Sequence, residues 1–323
     1  MARGRFRGVY PILYAFFDAD GRLDHAAMRA QVEHCIAAGC HGIAVLGLVT
    51  EVHRMTTPER REVVEVVGDA IGRRVPYAVT VAEQDPAAQI AFARMAAENG
   101  ADWVILQPPP GKGHAEADLQ RHFGTIADAA PRPVAIQNNP VNLDSHLSPD
   151  GLTTLVRRHA NIALLKAEGW SVDIARVLAE TGDAVDAFGG HGGLEFVSLI
   201  RSGGAGLIPA PDVLAAQVLL YEGLVSGRPE AEALALRLHR ELLPLIVFMT
   251  RGVPGILCYG KRVMAWRMGL ETVHDRPGGH VPTPFGLAEA ERLLAEVRAA
   301  EAAILPALAA ALATPAADAR PRG

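Results

Sequence analysis

The chain has 323 residues, of which 50% are hydrophobic and 21% are charged, and its formal net charge at pH 7 is −5. This composition excludes a disordered or fibrous protein, and the acidic balance provides no basic surface for nucleic acid. No apolar run approaches the ~18 residues of a membrane span, so we expect no membrane partner. The three cysteines form no CxxC pair, which favours reduced thiols in the cytoplasm.

Short apolar runs alternate with helical segments over the first 210 residues. The runs predict strands at residues 9–17, 42–46, 77–81, 103–106, 134–137, 162–166, 185–188 and 205–208. The segments between them predict helices at 26–38, 58–71, 86–99, 115–129, 149–159, 172–180 and 194–201. This alternation favours an α/β fold, a closed (β/α)8 TIM barrel. The alternative, an open doubly wound sheet, requires a G-x-G-x-x-G turn, and the glycine-rich segment 189–193 has the wrong spacing.

The pattern changes after residue 210, where helical segments follow one another without strands. They predict helices at 213–225, 230–249, 255–268 and 287–312. We therefore predict a barrel at 1–210, a helical C-terminal extension at 211–313 and a disordered tail at 314–323.

Polar residues that end the predicted strands are the candidates for an active site, because TIM-barrel sites lie at the carboxyl ends of the strands. They are Glu51, Gln107, Gln137, Asn138, Asn139, Lys166, Glu168 and His191. The 12 histidines show no metal-ligand spacing, so we predict neither a metal site nor a cofactor.

Lys166 ends an otherwise apolar strand, and strand alternation places its side chain on the inner face of the barrel. An amine in apolar surroundings is favoured in its neutral, nucleophilic form. The alternative is a lysine that extends to the barrel rim or pairs with Glu168. Only three of the 31 basic residues are lysines. For the other two, Lys112 and Lys261, a surface charge and a structural ion pair are the simpler interpretations.

Glu168 lies two residues beyond Lys166, so an extended strand would place both side chains inward with Cα atoms ~6.6–7 Å apart. Partial burial would raise the pKa of the Glu168 carboxyl and make it a proton carrier. The alternative is a salt bridge that only positions Lys166. Gln137 cannot titrate and can only orient water or substrate. His191 is a second candidate for proton transfer.

Several motifs occur together along the chain. They are Gly8 with Pro11, Asp20-Gly21, the loop from Gly47 to Glu51, Thr57-Pro58-Glu59-Arg60, Gly100-Ala101-Asp102, Asn138 with Pro140, and Lys166. In these residues the sequence resembles the dihydrodipicolinate synthase and N-acetylneuraminate lyase superfamily of class I aldolases. The resemblance implies a TIM barrel with a helical C-terminal part, a homo-oligomer that is usually a tetramer, and a Schiff base between Lys166 and a 2-oxo acid.

Three departures from typical members of that superfamily concern proton transfer. Leu48 and Val49 replace two threonines, Gln137 replaces a tyrosine, and prolines 109 and 110 replace a tyrosine pair. Gln137 followed by Lys166-x-Glu168 is more similar to the branch that contains L-2-keto-3-deoxyarabonate dehydratase, although that branch carries an acid where this chain has Asn138.

These residues predict a Schiff-base lyase acting on a 2-oxo acid, with Lys166, Glu168 and Gln137 as catalytic residues. We expect the backbone N–H groups of Leu48 and Val49 to bind the substrate carboxylate and Glu51 to brace their loop. Asn138 and His191 are the other predicted substrate-binding residues. The reaction expected is dehydration of a 2-keto-3-deoxy sugar acid. The alternatives are a retro-aldolase that releases pyruvate and a non-catalytic binding or regulatory protein.

Overall fold

A computed structural model gives the structure of the protein and describes residues 6–314. The predicted tail, 314–323, lies outside the described residues except for residue 314. Among residues 6–314, no single helix is long and apolar enough to cross a membrane. Two helical segments, Pro229–Met249 and Val253–Met268, satisfy that test only when joined across a 101° bend.

Eight parallel strands form the sheet, in the order β1-β8-β7-β6-β5-β4-β3-β2. They are β1 Gly8–Val9, β2 Ile43–Val45, β3 Tyr77–Val81, β4 Trp103–Leu106, β5 Val134–Asn138, β6 Ile162–Ala167, β7 Asp186–Gly189 and β8 Gly206–Leu207. A parallel bridge between Ile12 and Ala44 joins the first strand segment to the second and closes the ring. The predicted TIM-barrel fold is therefore confirmed.

Helices surround this ring and continue beyond it. They are α1 His25–Ala37, α2 Thr57–Ile71, α3 Pro86–Glu98, α4 Glu116–Ala129, α5 Pro149–Arg158, α6 Ser171–Thr181, α7 Phe196–Arg201, α8 Leu214–Val225, α9 Pro229–Met249, α10 Val253–Gly255, α11 Lys261–Met268 and α12 Pro284–Ala313. Local sequence fixes several helix starts. Thr56 and Glu59 form a capping box at α2, and Asp85 and Ser148 cap α3 and α5 ahead of a proline.

The first strand differs most from its prediction. Residues 9–17 were expected to form one strand, but regular pairing covers only Gly8–Val9, and Ile12 and Phe17 form isolated bridges. Pro11 interrupts this segment, and a proline has no N–H to donate to a ladder. The other strands begin and end within one or two residues of their predicted bounds.

Aromatic side chains fill the barrel interior. Tyr10, Trp103 and Phe188 are buried there, with ring centroids 5.3–5.7 Å apart. Phe188 pairs in register with Lys166, so the aromatic cluster borders the predicted site.

The C-terminal helices cover one side of the barrel mouth. A five-residue π-helix, Ile256–Gly260, joins α10 to α11 where sequence periodicity predicted one continuous helix. π-helical turns are uncommon and often occur at functional sites. The C-cap of α9, the first residue of α10 and the first residue of this turn contribute Thr250, Val253 and Ile256 to the lining of the site described next.

Candidate active site

Lys166 lies near the carboxyl end of β6, and its side chain is buried inside the barrel mouth. It pairs in register with Gln137 on β5 and Phe188 on β7, so these side chains project to the same face of the sheet. Its amine is 3.2 Å from Oε2 of Glu168. The structure thus combines the two predicted arrangements, an inward lysine and an ion pair with Glu168.

Three donors converge on one oxygen of Glu168. Oε2 accepts hydrogen bonds from Nε2 of Gln137 at 2.7 Å and from Nδ2 of Asn139 at 3.0 Å, in addition to the contact with Lys166. All four side chains are buried. Amide donors stabilise a carboxylate without adding charge, so this arrangement holds Glu168 in one orientation beside the amine.

The pKa of the Glu168 carboxyl differs in direction from its prediction. Burial, the largest influence, acts to raise this pKa. The Lys166 amine, the neighbouring His191 ring and the hydrogen bond from Gln137 act against burial, and the resulting pKa lies below the ordinary value for glutamate. The prediction of a raised pKa is therefore wrong. Glu168 is a carboxylate at neutral pH, ready to accept a proton.

A glycine after β7 makes room for this carboxylate. A Cβ on Gly190 would lie 2.4 Å from Oε1 of Glu168 and 2.8 Å from its Cδ. The backbone of Gly190 has φ −143° and ψ −140°. This backbone is outside the left-handed region, and the space that Glu168 occupies excludes a Cβ at this position.

A pocket opens beside Lys166 and Glu168, and its empty space, including the solvent at its mouth, is about 520 Å³. Its polar lining includes Asn139, Asn142, His191 and Thr250, and its apolar lining includes Ile12, Leu48, Val49, Ile208, Ala210, Val253 and Ile256. Such a mixture of apolar walls with a few convergent polar groups is typical of a small-molecule site.

Leu48 and Val49 lie where the sequence placed them, at the start of the 3₁₀ turn Leu48–Thr50 after β2, and both line the cavity. The turn is held from behind by the Thr50 hydroxyl, which donates a 2.6 Å hydrogen bond to the Leu13 carbonyl. The first N–H groups of such a turn have no partner within the turn, so they are available to a ligand.

Asn138 does not line the cavity. Its side chain forms two hydrogen bonds with the backbone of Leu147. It donates one to the carbonyl at 3.0 Å and accepts one from the N–H at 2.8 Å. The neighbouring Asn139 occupies the cavity wall instead. The two asparagines are consecutive, and side chains alternate along an extended chain, so the sequence indicated the segment but not the residue.

His191 lies at the cavity with a left-handed backbone, φ 50°, between glycines. Its Nε2 is 3.1 Å from Nδ2 of Asn142, whose backbone N–H donates to Oδ1 of Asn139 at 2.9 Å. A chain of contacts therefore runs from His191 through two asparagines to Glu168. Sequence reasoning missed Asn142 and Thr250, because neither ends a strand.

Gln137 lies behind Glu168, buried from the cavity; among the described residues its Oε1 has no hydrogen-bond partner. Lys112 is exposed and 3.6 Å from Asp144, a surface charge as expected. Within residues 6–314, no group of three or more His, Cys, Asp or Glu side chains converges as a metal site would require.

A TIM barrel with a buried lysine and a carboxylate two residues apart at the carboxyl end of one strand fits the class of lyases and aldolases in which a lysine amine is the nucleophile. Residues 5–273 match the model of the dihydrodipicolinate synthetase family, and the chain belongs to it. Members of this family are class I enzymes, lyases and synthases that form a Schiff base.

Two relatives illustrate the distance within the family. The 4-hydroxy-tetrahydrodipicolinate synthase of Salinibacter ruber is 29% identical over 247 residues, covering 74% of this chain and 79% of the relative. That of Methanopyrus kandleri is 27% identical over 245 residues, covering 75% and 80%.

Solved structures agree on the fold. The 4-hydroxy-tetrahydrodipicolinate synthase of Methylacidiphilum fumariolicum SolV superposes with a TM-score of 0.84 at 19% identity, covering 94% of this chain and 99% of its own. YagE of E. coli K12, solved in complex with pyruvate, superposes with a TM-score of 0.81 at 23% identity, covering 91% and 99%.

Proposed function

We propose that the protein is a Schiff-base lyase that dehydrates a 2-keto-3-deoxy sugar acid. The observation that carries this proposal is the buried pair of Lys166 and Glu168, with the carboxylate held by two amides. The pair supplies a nucleophilic amine and a proton acceptor on the same face of the cavity. Membership of the dihydrodipicolinate synthetase family supports the Schiff-base chemistry.

The reaction begins when the neutral amine of Lys166 attacks the C2 carbonyl of the substrate. The resulting carbinolamine loses water and gives an iminium, which withdraws electrons from C3. A base removes a proton from C3, and the enamine electrons then expel the C4 hydroxyl, which leaves as water after protonation. Hydrolysis of the unsaturated iminium restores the amine and releases an unsaturated 2-oxo acid.

Glu168 is the group placed to move these protons. Its lowered pKa keeps it ionised, so it can accept the proton from C3. The carboxylic acid formed in that step can protonate the departing C4 hydroxyl. The Gln137 and Asn139 amides keep the carboxylate aimed during both transfers.

The cavity wall opposite these groups suits the rest of the substrate. The N–H groups of Leu48 and Val49 would bind the carboxylate at C1, and the apolar lining from Ile12, Val253 and Ile256 would limit access of bulk water. Asn142 and His191 are placed to contact hydroxyls further along the chain. We no longer propose Asn138 as a substrate-binding residue, because its side chain forms hydrogen bonds with the backbone of Leu147.

The test is to incubate the protein with pyruvate and with 2-keto-3-deoxy pentonates and hexonates, reduce with borohydride and map the adduct by peptide mass. We expect an adduct on Lys166 and an unsaturated or further rearranged 2-oxo acid as the product without borohydride. Pyruvate and an aldehyde as products would show a retro-aldolase instead. Absence of any adduct with every 2-oxo acid would show a non-catalytic protein.

Assembly, location and domain division are part of the same proposal. We propose a cytoplasmic homo-oligomer, a dimer or tetramer, in which residues 1–210 form the barrel and 211–313 the extension. Family membership supports assembly, and the three described cysteines are all free. Sedimentation velocity at micromolar concentration tests the assembly, and a monomer there would contradict it.

A further inference from the structure

A second buried lysine lies behind the cavity wall. The Lys261 amine donates a hydrogen bond to Oε1 of Glu51, and both side chains are only 1% exposed. The two residues are 210 positions apart in the sequence. Burying both charges of an ion pair is costly because each charge loses its solvation, so such a pair is weak evidence for a role in stability alone. The partners and the location of this pair therefore bear on its role.

Both oxygens of Glu51 are engaged. Oε2 accepts from Nη1 of Arg54 at 2.8 Å, and the Lys261 amine lies 3.9 Å from Asp275 and 5.3 Å from the centre of the Phe17 ring. These partners come from the barrel, the extension and the loop between α11 and α12. The pair is therefore the centre of a junction between the barrel and the extension.

The junction joins two walls of the cavity. Glu51 ends the 3₁₀ turn Leu48–Thr50 with a left-handed backbone, φ 60°, which a glutamate adopts only where its surroundings enforce it. Lys261 follows the π-helix Ile256–Gly260, whose first residue lines the facing wall. The ion pair consequently fixes the turn that carries Leu48 and Val49 relative to the helical wall.

We propose that Lys261 is a positioning residue for substrate binding: through Glu51 it holds the 48–50 turn so that its N–H groups face the substrate carboxylate. This inference rests on the proposed function, because it concerns the carboxylate of the 2-oxo acid bound at Lys166. It also accounts for a lysine in a chain where arginine supplies nearly every basic side chain. A single compact ammonium fills this site, whereas a planar guanidinium is wider and needs more partners.

The test compares two ligands that form the same Schiff base but differ in the group at C1. Pyruvate carries a carboxylate, and methyl pyruvate carries a neutral ester. The apparent dissociation constant of each is measured by borohydride trapping as a function of ligand concentration. In Lys261→Met, we expect the constant for pyruvate to rise at least ~10-fold, and that for methyl pyruvate to change less than ~2-fold.

The matched control is Arg267→Met. Arg267 lies on the same helix, α11, and its guanidinium pairs with Glu301 on α12 at 3.0 and 3.1 Å. Loss of this pair weakens the extension without touching the 48–50 turn, so both ligands should keep their wild-type constants. Thermal unfolding of both variants shows whether the comparison is made on folded protein.

If Lys261→Met does not fold, the doubly neutral variant Glu51→Gln/Lys261→Met gives the same comparison without an unpaired buried charge. Equal increases for the two ligands, or no increase for pyruvate, would overturn the positioning role while leaving the Schiff base intact. Failure of the Schiff-base step in the proposed function has a different signature, since wild-type protein would then be trapped by neither ligand.

Discussion

The Tyr14 hydroxyl donates a 2.7 Å hydrogen bond to Oδ1 of Asp212, and both side chains are buried. Tyr14 follows β1 and Asp212 follows β8, so this contact joins the first and last strand segments of the barrel. Burial raises the pKa of the Asp212 carboxyl from 3.8 to about 7, although the hydrogen bond from Tyr14 and the charge of Arg267 act to lower it.

The raised pKa of Asp212 predicts that the free energy of unfolding decreases as the pH rises. The folded protein keeps a proton on Asp212 that the unfolded chain releases near the ordinary pKa of aspartate. The stabilisation from this proton is therefore complete below about pH 4 and is lost as the pH rises towards 7. A shift of this size corresponds to about 4 kcal/mol. We expect Asp212→Asn to flatten the decline in Tm between pH 5 and 7, which calorimetry measures.

The matched control for that experiment is Glu98→Gln, which removes an exposed carboxylate at the end of α3. Its Tm should follow the wild-type dependence on pH. A decline in Asp212→Asn as steep as in the wild type would show that Asp212 is not the group responsible.

Substitution of Glu168 separates Schiff-base formation from proton transfer. Glu168→Gln keeps the size of the side chain but cannot accept a proton. We expect borohydride trapping at Lys166 to remain largely intact and turnover to fall at least ~10²-fold. Parallel loss of trapping and turnover would show that Glu168 acts only on the lysine. If neither changes, the proton carrier lies elsewhere, and His191→Asn is the next variant.

The pH profile of turnover tests the direction of the Glu168 pKa. The carboxylate is the active form, and its pKa is held below the ordinary value, so it remains ionised as the pH falls to 5. We expect the acid limb of kcat/KM, which reports the pKa values of the free enzyme, to lie below the usual glutamate range rather than near neutrality. An acid limb near pH 6–7 that disappears in Glu168→Gln would contradict this, since ~6–7 is where a raised glutamate pKa would place it.

A side chain at Gly190 would displace the Glu168 carboxylate without changing its chemistry. In Gly190→Ala, the new Cβ would overlap Oε1 of Glu168, so the carboxylate must leave its present position beside Lys166. We expect turnover to fall at least ~10-fold, because general acid–base catalysis depends on reach. The control is Gly169→Ala, whose Cβ would meet Pro140 at an ordinary 3.7 Å. Equal losses in the two variants would assign the effect to the loops rather than to the carboxylate.

The sequence resemblance implies that synthases of this family carry two threonines and a tyrosine where this chain has Leu48, Val49 and Gln137. None of these three side chains has a hydroxyl group that could relay protons. We therefore expect condensation of pyruvate with aspartate semialdehyde to be slower than in a synthase by ~10²–10⁴-fold. A coupled assay against an authentic synthase measures this, and comparable rates would show that other groups replace the relay.

Local pattern was sufficient for the barrel and for the place of its lysine. Parallel strands buried on both faces produce apolar runs, and Lys166 interrupts one of them at the end where TIM-barrel sites lie. The same reasoning located the segment 137–139 but selected Asn138 over Asn139, because the exact twist of a strand end decides which amide faces the cavity. The 48–50 turn could also be placed, because it follows a predicted strand directly. Its expected role uses backbone N–H groups, so that role does not depend on which way a side chain points.

What the sequence by itself determined is therefore the periodic part of the protein: the eight-strand barrel, its helical extension and the candidate lysine, since each follows from spacing within a few dozen residues. Only the tertiary structure decided the environment of the charges. Glu168 lies against Lys166, Gln137 and Asn139. The Lys166 amine, the His191 ring and the hydrogen bond from Gln137 together outweigh the effect of burial on its pKa. Lys261 meets Glu51 across 210 residues. Electrostatic energies depend on distances in space, and residue spacing along the chain does not encode such distances between separate elements.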